Sequence, residues 1–170
     1  MRAADQIVRT LEAHGITRIY CVPGESYLAL LDSLVDSKIE VIVCRHEGGA
    51  GFMACAEAKL TGKPAVFMAS RGPGATNASI AIHMADQDAL PVILFLGQVA
   101  REERTRGVFQ EVDYTAFFGS MTKAVFEITE GARAREIVSR GLLQAQIGVQ
   151  GPVVFSLPED MLHDEVADEE

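Results

Sequence analysis

The sequence predicts an α/β domain, a three-layer α/β/α sandwich around a six-stranded parallel, doubly wound sheet. Three observations carry this. Runs such as residues 92–96 and 153–157 are apolar at nearly every position, as strands covered on both faces must be. Segments with helical periodicity alternate with those runs. A length of 170 residues fits one domain that buries roughly 70% of its unfolded surface. Right-handed crossovers between successive parallel strands then place helices on both faces.

The elements follow in order. Ala4, Ile7, Val8 and Leu11 recur at i, i+3, i+4 and i+7, one face of a helix that Gly15 stops. Residues 18–22 read as a strand, broken by Pro23-Gly24. Leu28, Leu31, Leu34 and Val35 mark a second helix begun near Ser26, and residues 39–43 a second strand. Residues 46–60 form a helix rich in small side chains (Ala50, Gly51, Ala54, Ala56, Ala58), ended by Gly62-Lys63-Pro64. Residues 65–69 are the third strand, and Gly72-Pro73-Gly74 opens a helix running toward Asp86. The fourth strand is 92–96. Segment 101–112 is charged, has no clear period and reads as a loop, with a short helix over 113–119. A fifth strand spans 124–128. A helix over 132–147 turns Ile137, Val138, Leu142 and Ala145 inward, and Gly151-Pro152 precede the last strand, 153–157. The pattern stops at Leu157, which divides the chain into a domain, 1–160, and an acidic tail or linker, 161–170.

The charge agrees with that division. The chain carries 15 basic and 24 acidic side chains, a net charge of −9. Seven of the acids fall in residues 159–170, which contain no Lys or Arg; the remainder holds 17 acids against 15 bases, a net charge of −2. Such a body is a poor ligand for nucleic acid or for an anionic membrane surface, both of which need clustered Lys and Arg. No apolar run approaches the ~18 residues that span a bilayer, and residues 1–12 lack the apolar core of a signal peptide. Cys21, Cys44 and Cys55 are odd in number, show no CxxC spacing and lie in apolar segments. They read as buried free thiols of a cytoplasmic protein.

In a doubly wound sheet, ligands bind beyond the carboxyl ends of the strands. This selects the loops at Pro23-Gly24-Glu25, Arg45-His46-Glu47, residues 70–77 and Gly97-Gln98. Several signatures are excluded there. Asn77 stands where a dinucleotide fingerprint needs its third glycine, Gly62-Lys63 lacks the upstream glycine of a P-loop, and Ala50 occupies the second histidine position of a zincin pair. Ser26 is not in a hydrolase elbow.

Three features remain. Glu47 follows a strand and opens a helix, where a carboxylate complements the helix dipole. Gly48, Gly49, Ala50 and Gly51 leave no bulk beside it, so a large ligand could also pack there. The stretch Ser70-Arg71-Gly72-Pro73-Gly74-Ala75-Thr76-Asn77 is either a tight turn into a helix or a close backbone approach to a ligand. Phe109-Gln110-Glu111-Val112-Asp113 places a phenyl ring in a charged loop, as a surface anchor, a subunit contact or a substrate contact.

Arg45-His46-Glu47, AKLTGKP from Ala58, SRGPGATN from Ser70, GQVAR from Gly97, FQEVDY from Phe109 and GPVVFSLPED from Gly151 occur in this order. Across roughly residues 1–160 the chain resembles the N-terminal pyrimidine-binding domain of thiamine diphosphate enzymes of the acetolactate synthase, pyruvate oxidase and benzoylformate decarboxylase type. The resemblance implies the thiamine diphosphate-binding fold and a 2-keto acid decarboxylase or carboligase. It gives Glu47 a role: its carboxylate hydrogen-bonds N1′ of the cofactor's aminopyrimidine and so promotes loss of the C2 proton. A carboxylate kept dry gains proton affinity and can share a proton, which suits that task.

By the same resemblance Val22, Pro23, Gly24, Gly72, Pro73 and Asn77 line the cofactor, and Arg71, Phe109 and Gln110 approach the substrate, the last two across a dimer interface. Two residues depart from the pattern. Glu25 replaces a usual glycine, and Arg71 a usual small residue, where its guanidinium either binds a carboxylate or pairs with Glu102 or Asp86. Mg²⁺ and the diphosphate belong, in such enzymes, to a Gly-Asp-Gly…Asn motif of a C-terminal domain, which these 170 residues lack. The expectation is a domain that is inactive alone and completed by the diphosphate-binding domain of a second subunit in a homodimer or homotetramer, with room for FAD in a longer chain. A separate small subunit of a two-chain decarboxylase and a non-catalytic small-molecule binding module of the same fold are the alternatives.

Overall fold

The computed structural model describes residues 1–167. Six strands, β1 (Arg18–Cys21), β2 (Glu40–Val43), β3 (Ala65–Ala69), β4 (Val92–Gln98), β5 (Ala124–Glu127) and β6 (Val153–Pro158), form one sheet in the order β2-β1-β3-β4-β6-β5. Every pairing is parallel. The helices are α1 (Ala3–Ala13), α2 (Leu28–Val35), α3 (Glu47–Thr61), α4 (Gly72–Gln87), α5 (Tyr114–Phe118) and α6 (Ala134–Gln146). This is the expected three-layer α/β/α sandwich.

Side-chain alternation along the central strands builds two cores. Val66, Met68, Ile93, Phe95, Val153 and Phe155 point to the face covered by α1, α2 and α6. Ala65, Phe67, Ala69, Val92, Leu94 and Val154 point to the face covered by α3, α4 and α5. On the first face Phe155 stacks between Phe95 and Phe126, with ring centroids at 4.8 and 5.6 Å. The outermost strands are less covered. All four residues of β5 are half-buried, and β2 has only half-buried and exposed residues, because an edge strand has a neighbour on one side only.

Two expectations change. The second helix begins at Leu28 after a 3₁₀ turn, Glu25–Tyr27, and buries Ala29, Leu30 and Leu34, leaving Leu28 and Val35 exposed. The buried face runs through Tyr27, Leu30 and Leu34, three and four positions apart, and Leu28 and Val35 fall off it. Cys21 and Cys55 are buried, whereas Cys44 is only partly so, at the end of the edge strand β2.

The segment after β6 is built into the domain as far as it is described. Met161 and Leu162 are buried, Ala3 N–H donates to the Asp164 carbonyl at 2.9 Å, and Val166 N–H donates to the Met1 carbonyl at 2.9 Å. Two of its acids neutralise one cation: Arg101 Nε donates to Asp160 at 2.7 Å and Arg101 Nη2 to Asp164 at 2.7 Å. Asp168, Glu169 and Glu170 lie outside the described residues.

At the start of α1, Asp5 accepts from the Arg2 backbone N–H at 2.9 Å, Arg2 Nη2 at 2.8 Å and Ser33 Oγ at 2.6 Å, tying α1 to α2. Burial pushes this carboxyl up, but the bonds from Arg2 and Ser33 outweigh it and hold the pKa at about 2 against an ordinary 3.8. Since the folded value is the lower one, the stabilisation is complete above the ordinary value and is lost as pH falls toward 2. The side chain is 29% exposed, so Asp5→Asn should remove only about 1 kcal/mol at neutral pH. Urea denaturation at about pH 6 and about pH 2 checks this: the variant should differ from wild type at the higher pH and converge with it at the lower.

Candidate cofactor site

β1 and β3 are adjacent, yet the chain leaves them toward opposite faces, into α2 and α4. Their carboxyl ends therefore flank a topological switch point. The turns after them are drawn together there. Val22 N–H donates to the Met68 carbonyl at 3.4 Å, and the Ser26 and Ser70 hydroxyls meet at 3.1 Å. Buried Tyr27 donates its hydroxyl to the Val22 carbonyl, which holds the Val22-Pro23-Gly24 turn over the end of the sheet.

Glu47 stands beside this crevice as the first residue of α3. Its position follows from the cap before it: His46 Nδ1 accepts the Gly48 N–H at 3.0 Å, which satisfies one open donor of the first turn. The Glu47 side chain is then free to reach across to α4, where Asn77 Nδ2 donates to its Oε2 at 3.0 Å. Its other oxygen lies by Gly74; a Cβ at residue 74 would sit 3.4 Å from Oε1. Glu47 is half-buried and Asn77 exposed, so the carboxylate faces outward from this chain, and the dry surroundings expected for it are not supplied by the described residues alone.

The small residues after Glu47 have a different cause from the one expected. A Cβ on Gly51 would lie 2.3 Å from Ala81 Cβ and 3.0 Å from the Phe67 ring, and one on Gly48 3.2 Å from Ile80. Cys55 Sγ also donates to the Ala81 carbonyl at 3.5 Å. These positions are small because α3 and α4 pack backbone to backbone. Only Gly49 faces open space.

α4 starts at Gly72, with Pro73 in its first turn, where a missing N–H costs nothing. The Gly72 N–H donates to the Gln110 carbonyl at 3.1 Å, and a Cβ on Gly72 would lie 3.0 Å from that same oxygen. Arg71 pairs with Glu159 just beyond β6, rather than with Glu102 or Asp86. Its charge is thereby engaged within the chain, while its buried Nε has no hydrogen-bond partner among the described residues.

The structure thus brings Glu47, Asn77 and Gly74 together, sets Val22, Pro23 and Gly24 beside Ser70, and joins Gly72 to Gln110. It does not bring Phe109 in; that ring is 81% exposed. Sequence reasoning missed the residues that hold these turns. Ser26, Tyr27 and Gln98 are buried polar groups whose partners are backbone or hydroxyl groups, and Glu159 lies 88 positions from Arg71. Among the described residues no group of three or more His, Cys, Asp or Glu could hold a metal ion, and no helix is long and apolar enough to cross a membrane.

A carboxylate and an amide thus meet at the carboxyl ends of a parallel sheet, beside two glycine-bearing turns, in a doubly wound α/β domain. The chain belongs to the family described as "Thiamine pyrophosphate enzyme, N-terminal TPP binding domain", which matches residues 1–117. It is similar to the "Acetolactate synthase, catabolic" of Raoultella terrigena, 36% identical over 159 residues, covering 94% of this chain and 28% of that protein. The "Acetolactate synthase isozyme 1 large subunit" of Escherichia coli (strain K12) is 40% identical over 159 residues, 93% of this chain and 28% of that protein. The "Probable acetolactate synthase large subunit" of Methanocaldococcus jannaschii is 35% identical over 166 residues, 98% of this chain and 28% of that protein. The chain therefore spans little more than a quarter of the length of these relatives.

Proposed function

We propose that the chain is the pyrimidine-binding part of a thiamine diphosphate-dependent 2-keto acid decarboxylase or carboligase of the acetolactate synthase kind. The observation that carries this reading is the Glu47–Asn77 pair, fixed at 3.0 Å between the two turns of the switch point. The residues present fit the cofactor: one Glu47 carboxylate oxygen is taken by Asn77, and the other lies beside Gly74, where an added Cβ would be in ordinary contact at 3.4 Å. Bound thiamine diphosphate would supply a thiazolium ring that stores the electron pair released when a 2-keto acid loses carbon dioxide.

The chain's own residues would do the rest. Glu47 holds a proton at N1′ of the aminopyrimidine, and Asn77 keeps the Glu47 carboxylate aimed. Val22, Pro23, Gly24, Gly72 and Pro73 present backbone against the rings. Phe109 and Gln110 belong to a loop that reaches the substrate across the dimer interface. Arg71, its charge shared with Glu159, sets the β3–α4 turn at the substrate's rim.

Val43, Phe52, Met53 and Ile80 are exposed on β2, α3 and α4, the last two being the helices that carry Glu47 and Asn77. Exposed apolar side chains on the elements that carry a half-buried carboxylate suit a covering partner, here the diphosphate-binding domain of a second subunit, in a homodimer or homotetramer. That domain would hold Mg²⁺ and exclude water from Glu47. FAD would bind, if at all, in a further domain, and three free cysteines suit a cytoplasmic setting.

Calorimetric titration of the 170-residue chain with thiamine diphosphate and Mg²⁺ tests the dependence on a partner. Little heat is expected; binding at micromolar concentration would overturn the requirement for a second domain.

A further inference from the structure

We propose that Arg104 is a positioning residue for the loop that carries Phe109 and Gln110, tying that loop to the sheet through two carboxylates. The role in substrate contact rests on the function proposed above. The loop runs from the 3₁₀ turn at Arg101–Glu103 to α5 and contains no regular element. Its backbone is left-handed at Thr105 (φ 67°), Gly107 (φ 65°) and Gln110 (φ 67°). Two of these are not glycine, so the surroundings must impose the conformation.

The restraint is Glu111. Its carboxylate accepts the N–H of Thr105 at 2.5 Å, the N–H of Gly107 at 3.0 Å and Arg104 Nη1 at 2.6 Å, closing the loop on itself. The other edge of the Arg104 guanidinium makes a fork to Glu127, with Nε and Nη2 donating at 2.9 and 2.8 Å. Glu127 is the last residue of β5. Arg104 thus joins the loop's own clasp to a strand of the sheet. The side chains of Arg104, Glu111 and Glu127 are 20%, 10% and 29% exposed, so their attraction is less screened than that of surface pairs.

The far side of the loop is held independently. Gly72 N–H donates to the Gln110 carbonyl, and buried Gln98 donates its Nε2 to the Val112 carbonyl at 2.8 Å. Between these anchors Phe109 stands out from the surface, and an exposed phenyl ring is kept there by its backbone rather than by burial. Without Arg104, Glu111 and Glu127 would face each other as like charges, and the clasp would be pushed off the sheet.

Backbone amide hydrogen exchange, followed by NMR on the 170-residue chain, reads this tie. In Arg104→Gln the amides of Thr105 and Gly107 should exchange roughly tenfold faster or more, while those of Gly72 and β4 stay as in wild type. Arg104→Lys should fall between, since an ammonium cannot reproduce the fork. Unchanged loop exchange in Arg104→Gln would overturn the tie. In an enzyme assembled from this chain and a diphosphate-binding domain, with pyruvate as probe, Arg104→Gln should raise KM several-fold, roughly in step with the loop exchange, and change kcat less. Faster loop exchange with unaltered pyruvate kinetics would overturn the positioning role. Absence of turnover in the wild-type assembly, with the loop tie intact, would instead overturn the proposed function.

Discussion

Replacing Glu47 with Gln should lower 2-keto acid turnover by about 10²–10⁴-fold in an enzyme assembled around this chain, the range ascribed to one positioned acid–base group. The substituted amide keeps the length of the side chain and an oxygen for the Asn77 amide, which now donates at 3.0 Å. It cannot share a proton with a ring nitrogen. The loss should therefore appear in the chemistry, with the circular dichroism and the denaturation midpoint of the chain unchanged. Asn77→Ala should cost less, because it leaves the carboxylate in place and removes only its aim. Equal losses from the two substitutions would contradict that division of roles.

Two neighbouring glycines of α3 should respond to alanine in opposite directions. At Gly51 the new methyl group would sit 2.3 Å from Ala81 Cβ and 3.0 Å from the Phe67 ring, so α3 must move off α4 and the sheet. Overpacking of this kind outweighs the gain in helix propensity and should destabilise the chain by about 2 kcal/mol. At Gly49 a Cβ meets nothing within 4 Å; there alanine should stabilise by about 0.5 kcal/mol, through the unfolded chain. Urea denaturation of the two variants decides the matter. Gly51→Ala as stable as wild type would refute the close α3–α4 contact. A partial recovery in Gly51→Ala with Ala81→Gly would locate the clash.

Much of the fold was legible because its signals are local. The stripe from Ala4 to Leu11 lies inward in α1, and Gly62, which caps α3 in a left-handed conformation, was readable as its stop. The largely apolar β3, β4 and β6 lie in the middle of the sheet. What escaped depends on partners distant in sequence. The run of acids after Leu157 reads as an acidic tail or linker, and no local signal shows that Asp160 and Asp164 are matched to Arg101, 59 and 63 positions earlier. Arg71 was legible as an unusual cation, but not its pairing with Glu159. The small residues following Glu47 have a partly different cause from the ligand packing read from the sequence: Gly48 and Gly51 answer to α4, and only Gly49 opens outward. The glutamate itself was legible from its place between a strand and a helix, whereas its bond to Asn77 depends on how closely the two helices approach.

The central claim is that the Glu47 carboxylate serves the pyrimidine ring of thiamine diphosphate. Exchange of the cofactor's C2 proton for deuterium, followed by NMR in the assembled enzyme without substrate, isolates that step from everything later in turnover. The account expects rapid exchange in wild type and exchange slowed toward that of the free cofactor in Glu47→Gln. Exchange as fast in Glu47→Gln as in wild type would contradict it.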